Sequence, residues 1–266
     1  MDTALHEQRR GPRLPAALHG SHVHPASGRV ELKDVRTVLL DIEGTTTPIE
    51  FVHQILFPYA RAHMREFLER HAADPEVRAD LARLRAEHAA ESDAPPPPWR
   101  DDVASVVAYV EWLMDRDRKS TGLKSLQGKI WEAGYRAGEL RGQVYPDVPR
   151  AFARWASQGR DIAIFSSGSA QAQRCLFAHS TAGDLSPFIR AYFDTTTGPK
   201  TAPESYRRIA AALERPLREV LFVSDVAAEL DAARLAGMRS ALSVRGPEAG
   251  GPPLDHPVIH GLDETC

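Results

Sequence analysis

Asp41-Ile-Glu-Gly-Thr-Thr-Thr-Pro48 is the stretch that decides how the rest of this chain is read. It follows Val35-Arg-Thr-Val-Leu-Leu40, an apolar run that reads as a buried strand. In open α/β sheets the ligand crevice lies outside the carboxyl ends of the strands, and here two carboxylates two residues apart arrive at such an end. Gly44 lets the backbone bend, and the three threonine hydroxyls after it are expected to offer donors to an anion. The stretch reads as a place to do chemistry on a phosphate.

Working outward, four more short apolar runs read as buried parallel strands: Ile162–Phe165, Ala191–Phe193, Val220–Val223 and Ser240–Val244. Helical patterns alternate with them over Pro149–Gln158, Ala170–Ala178, Pro203–Leu213 and Ala227–Ala236. Pro203 suits a first helical turn, while Gly159 and Gly237 suit helix ends. The alternation predicts an α/β fold with a Rossmann-like parallel sheet as its core.

More than a hundred residues separate the first strand from the second, whereas a crossover needs about a dozen. The excess predicts an inserted helical cap over residues 50–145. Its helical patterns run from Ile49 to Arg70, Pro75 to Ala90, Val103 to Asp115 and Leu123 to Leu140, with Pro95-Pro-Pro-Pro98 as a stiff connector. Tyr109, Trp112, Trp131 and Tyr135 fall at helical spacings and read as core; His53 and His63 read as surface or partly buried residues, with no spacing that argues for a metal. The catalytic core is then residues 35–49 and 146–246, with the cap expected over the strand ends as a lid. Residues 1–34 are expected to be a disordered tail and 247–266 a C-terminal tail.

The 266 residues carry a net charge of −3, 42% hydrophobic and 26% charged residues. That is ordinary globular composition. It offers no global basic field for nucleic acid and no run of the ~20 apolar residues that a membrane span needs, so neither partner is expected. Cys175 and Cys266 form no metal-ligand pattern and suit a reducing cytoplasm. His19, His22 and His24 belong to the polar first segment and are read as part of a solvated tail rather than a metal cluster. No long apolar repeat calls for assembly, and a monomer is expected.

The octapeptide has possible partners elsewhere in the chain. Asp225 ends the run Val220-Leu-Phe-Val223 through Ser224 and would reach the same sheet edge as Asp41. Two carboxylates there suit Mg²⁺, a hard cation with oxygen ligands; taken separately, each could equally be a helix cap or turn former. Asp41 could attack phosphorus, with Glu43 as acid and base. Ser166-Ser167-Gly168-Ser169 precedes a helix and reads either as an anion site or as plain N-capping, or as both with different serines. Lys200, before the Pro203 helix, offers a compact positive charge.

The order of these pieces resembles the haloacid dehalogenase superfamily: an acidic nucleophile, a second acid two residues on, a hydroxyl, a lysine and a distal acid. Glu43 stands where that superfamily usually has Asp. The departure is shared with the enolase-phosphatase E1 family, the acireductone synthases. The chain is similar to that family in five ordered blocks: Asp41–Ile49, Leu123–Tyr135, Val144–Val148, Phe165–Ser169 and Ser224–Leu230.

The resemblance implies a bifunctional hydrolase of methionine salvage, using one Mg²⁺ per subunit. It would enolise 5-methylthio-2,3-dioxopentyl phosphate and then hydrolyse the phosphate to leave the acireductone. It implies Asp41, Glu43 and Asp225 at the metal, with Glu43 through its backbone carbonyl, and Ser166, Ser167 and Lys200 at the substrate. Asp41 and Glu43 would be catalytic. Lys124 and Gln127 in the cap block could touch the diketone, and Glu229 would orient loops or metal waters. A generic Mg²⁺-dependent phosphatase of the same superfamily is the alternative; it would share the core residues but not the Leu-Gln-Gly-x-Ile-Trp block.

Overall fold

The structure, a computed structural model, describes residues 29–246 and 255–266. Six strands form one parallel sheet in the order β3-β2-β1-β4-β5-β6. They are β1 (Thr37–Leu40), β2 (Asp161–Phe165), β3 (Ile189–Phe193), β4 (Val220–Ser224), β5 (Arg239–Ser243) and β6 (Val258–Ile259). β1 lies at the centre, with Leu39 in register with Ala163 on one side and with Phe222 on the other. Its neighbours belong to opposite halves of the sheet, so the crevice where the strand order reverses opens between the carboxyl ends of β1 and β4.

Alternation along the strands divides the core. Val38, Leu40, Ile162, Ile164, Leu221 and Val223 face α6 (Asp147–Ser157) and α7 (Ala170–Ala178), where they meet Phe152, Trp155 and Phe177. Leu39, Ala163, Phe165 and Phe222 face the other way, onto Tyr206 and Ile209 of α8 (Pro203–Ala212) and Leu230 and Ala233 of α9 (Ala227–Ala236). A sheet apolar on both faces must be covered on both, and these four helices do so.

Between β1 and β2 the chain enters α1 (Ile49–Phe51), passes through one π-helical turn (Val52–Leu56) and continues as α2 (Phe57–His71), α3 (Pro75–Ala89), α4 (Val103–Asp115) and α5 (Thr121–Ala137). These helices have their own core, including Met64, Leu68, Leu84, Tyr109, Val110, Leu126 and Ile130. Their ends are set locally. Asp102 and Ser120 accept from Ser105 N and Leu123 N as N-caps of α4 and α5, and Gly138, at φ 75°, closes α5. Buried Asp80 ties α3 to α5 by accepting from Lys129 Nζ at 2.6 Å and Ser125 Oγ at 2.9 Å.

Three sequence expectations change. The C-terminal segment is not a tail in its described part: β6 pairs with β5, and Ile259 and Leu262 are buried. The expected tail at the other end gives way at Val30 and Leu32, which are also buried, Val30 forming a bridge with Thr265. The third strand begins two residues earlier than expected, at Ile189. Apolar pattern alone missed β6 because two residues are too short to show a period. His19, His22 and His24 lie outside the described residues. Among the described residues no helix is long and apolar enough to cross a membrane.

Candidate active site

The loop after β1 is tightly wound. Thr45, Thr46 and Thr47 all direct their N–H groups at the Ile42 carbonyl, at 3.2, 2.9 and 2.9 Å, and Gly44 N donates back to Thr47 O. Gly44 sits at φ 66°, a left-handed conformation that glycine adopts without strain. A Cβ there would lie 2.2 Å from Asp225 Oδ2, so the distal carboxylate rests directly against this backbone. The three threonines correct an expectation. All are fully buried, and Thr46 Oγ1 bonds to the carbonyls of Asp41 and Ile42. They build the loop from within and do not present hydroxyls to an anion.

Asp41 is buried at the crevice floor. Its Oδ1 accepts from Ile42 N at 2.8 Å and Lys200 Nζ at 2.6 Å; among the described residues its Oδ2 accepts only from Ser224 Oγ, at 3.3 Å. Lys200 Nζ also lies 2.7 Å from Glu229 Oε2, and Ser224 Oγ donates to the same Glu229 oxygen at 3.0 Å. Tyr206 of α8 holds the lysine's loop by donating to Lys200 O at 2.6 Å. The ends of β1 and β4, the start of α9 and the loop before α8 thus meet at one point.

Asp41, Glu43, Asp225 and Glu229 surround a single ammonium, and the electrostatics show the imbalance. Burial, then the Asp41 anion, raise Glu43 above the usual carboxylate range. The same two causes push Asp225 up to about 6. Glu229 is raised by burial and by Asp41, against the pull of Lys200. Burial works against the charged form of Lys200, but Asp41 and Glu229 outweigh it and raise its pKa. An uncompensated cluster of hard oxygen donors fits a small divalent cation. Among the described residues no three His, Cys, Asp or Glu side chains form a metal cage.

The serine loop divides its work. Ser169 Oγ caps α7 by accepting from Ala172 N at 3.2 Å, while buried Ser166 accepts from Gly168 N and Ser167 is exposed. Lys124 of α5 is exposed, and Gln127 is buried. Tyr109, Trp112 and Tyr135 are core, whereas Trp131 is partly exposed and donates its Nε1–H to Leu56 O in the π turn, at 2.7 Å. His53, in that turn, is close enough to lower the Glu43 pKa.

Three residues that shape the site were not singled out from the sequence. Arg245 donates to Thr45 O, at 3.0 Å from Nε, and pairs with Asp147 at 2.7 Å, bracing the back of the loop. Asp194 accepts from Ala170 N at 3.0 Å, and Gln173 Nε2 donates to Gly168 O and Phe193 O, each at 2.8 Å, so both fix the serine loop. Asp194 carries a readable signal, since it follows the apolar run of β3 as Asp41 follows that of β1.

Comparison with known proteins identifies the family. The family model of haloacid dehalogenase-like hydrolases matches residues 35–237. The chain is 55% identical over 231 residues to the enolase-phosphatase E1 of Synechococcus elongatus, covering 86% of this chain and 97% of that one. It is 50% identical over 226 residues to that of Azotobacter vinelandii, covering 85% and 94%. Among solved structures, the UTR4 protein of Saccharomyces cerevisiae superposes with a TM-score of 0.70 at 32% identity, over 85% of this chain and 98% of that one. CbbY from Rhodobacter sphaeroides, at 16% identity and a TM-score of 0.54, shares the fold. The chain belongs to the enolase-phosphatase E1 family of haloacid dehalogenase-like hydrolases.

Proposed function

We propose that this protein is an acireductone synthase of methionine salvage. It enolises 5-methylthio-2,3-dioxopentyl phosphate and then hydrolyses the phosphate to give 1,2-dihydroxy-5-methylthiopent-1-en-3-one. The observation that carries this reading is the Asp41–Lys200–Glu229 cluster at the crevice between β1 and β4, in a chain 55% and 50% identical to two enolase-phosphatases over most of its length.

Asp41 and Asp225 would hold Mg²⁺ by their side chains and Glu43 by its backbone carbonyl. The bound ion would offset the charge of the phosphate and act as a Lewis acid toward an enolate oxygen. Ser166, Ser167 and Lys200 bind the phosphate. Glu43, raised by burial and Asp41, is suited to take a carbon-bound proton and to return one to the leaving oxygen. Asp41 Oδ2, with one weak donor, has lone pairs free to attack phosphorus. The P–O bond to the enol would break as the Asp41 bond forms, and water would then release phosphate from Asp41. The enzyme acts as a monomer in the cytoplasm; both thiols are free, Cys175 buried and Cys266 exposed.

The experiment is an assay with the dioxopentyl phosphate and Mg²⁺ that follows enol absorbance and free phosphate separately. Both signals are expected, enol first. Phosphate release with no enol signal would leave the generic phosphatase. Asp41→Asn with full activity would remove the covalent step.

A further inference from the structure

Gln173, near the start of α7, gives its buried side chain to two carbonyls. It is 2% exposed, and its Nε2 donates to Gly168 O in the serine loop and to Phe193 O at the end of β3, each at 2.8 Å. Both partners are acceptors, so only the N–H side of the amide can stand there. Its Oε1 is left buried with no partner among the described residues, an arrangement that is destabilising in itself. The contact fixes the direction of a peptide. In a planar trans peptide the C=O and the following N–H point opposite ways. Holding the Gly168 carbonyl against Gln173 therefore turns the Ser169 N–H away from it. Phe193 O also accepts from Ser166 N, at 3.2 Å, so the Gly168 carbonyl is held on the β3 side of β2. β1, which leads into Asp41, lies on the other side of β2. Among the described residues the Ser169 N–H has no acceptor, whereas the next N–H, of Ala170, is taken by Asp194.

We infer that Gln173 is a positioning residue for phosphate binding, which aims the Ser169 N–H into the crevice as a donor to the substrate's phosphate. This rests on the phosphate site proposed above, though not on the identity of the diketone. Charge makes the direction of this peptide matter. A hydrogen bond to an anion is stronger than one between neutral groups, and N–H groups at a helix start suit an anion. The reverse orientation would turn the Gly168 carbonyl toward the phosphate and replace attraction with repulsion. Gln173, buried behind the loop, acts only through the peptide that it holds.

The test measures two dissociation constants by calorimetry on the whole chain: that of Mg²⁺ alone, and that of inorganic phosphate at saturating Mg²⁺. Gln173→Met keeps the length of the side chain and loses both donors. Ser169→Pro removes the N–H itself, and the backbone there, at φ −59°, already suits proline. Its reference is Ser169→Ala, which loses the same hydroxyl cap and keeps the N–H. Phosphate is expected to bind about tenfold to a hundredfold more weakly in Gln173→Met than in wild type, and in Ser169→Pro than in Ser169→Ala, as for the loss of a hydrogen bond to an anion. The Mg²⁺ constant is expected to hold, whereas a residue that merely supports the fold would move both constants together or neither. Equal phosphate affinity within either pair, or a parallel loss of Mg²⁺ affinity, overturns the inference and leaves the proposed function standing. A wild type that binds Mg²⁺ but no phosphate overturns the phosphate site itself, and this inference with it. If Gln173→Met does not fold, the Ser169 pair decides alone.

Discussion

At the residue scale, the site depends on how closely Gly44 and Asp225 approach one another. Gly44→Ala would place a Cβ 2.2 Å from a carboxylate oxygen and force an L-residue to φ 66°. Activity is expected to fall at least a hundredfold, with about 1–2 kcal/mol lost from stability; kinetics and urea titration measure the two. Among the described residues Lys200 is the cation paired with Asp41 and Glu229. Lys200→Ala is expected to cost about 10²–10³ in kcat and to remove the charge that lowers the pKa of Glu43 and Glu229, so its activity maximum should move to higher pH, which a pH–rate profile would show. These residues were legible in the sequence because each ends an apolar run or precedes a helix. The inward turn of Thr45, Thr46 and Thr47 was not legible, because a hydroxyl next to a carboxylate looks the same whether it serves a ligand or its own loop. Arg245 was also hidden. Its partners, Thr45 and Asp147, are 200 and 98 residues away in the chain.

At the element scale, charged pairs lock strands and loops together. Arg245 and Asp147 are nearly buried, with side chains 8% and 11% exposed. Removing one partner of such a pair leaves an uncompensated charge, so Arg245→Met is expected to cost about 3–5 kcal/mol. Asp147→Asn in the same chain should recover part of it, as a double-mutant cycle by chemical denaturation would show. Asp161, which opens β2, accepts from Arg190 on β3 and Arg215 after α8. Burial alone would raise its pKa, but the hydrogen bonds from Arg215 and Arg190 outweigh it and hold the carboxyl low. A depressed folded pKa means stability that is present above the unfolded value and lost as pH falls through the folded one. Asp161→Asn should therefore destabilise at pH 7, and the gap to wild type should close as the pH falls below the usual carboxylate range. The helices were read well from periodicity, since α7 and α9 were expected with the bounds observed. The strands were read to within a residue or two, except β6, which exists because β5 offers it an edge.

At the scale of the whole molecule, the chain brings its far segments together beneath the sheet. Ile259 and Leu262 are buried beside Val30 and Leu32 in the same core as β1. Removing residues 255–266 is expected to lower the melting temperature by several degrees and to expose the β5 edge; calorimetry and light scattering would check both. Chelation followed by dialysis should abolish enol formation and phosphate release together, with Mg²⁺ restoring both, because one ion site would serve both steps.

The π turn at Val52–Leu56 carries a last consequence. An α-helix advances 100° per residue, and a π turn holds one residue more than an α turn would. Everything beyond it in α2 is therefore rotated relative to an uninterrupted helix. Beyond the turn Met64 and Leu68 lie in the core of the insert, and at its end the Leu56 carbonyl accepts from Trp131. Deleting any one residue within the turn would restore regular winding and swing the far half of the helix by about 100°, even if every remaining side chain were kept. The angle at which the helical insert meets the sheet is thus encoded in a count of residues, and substitutions in the turn should be tolerated where deletions are not.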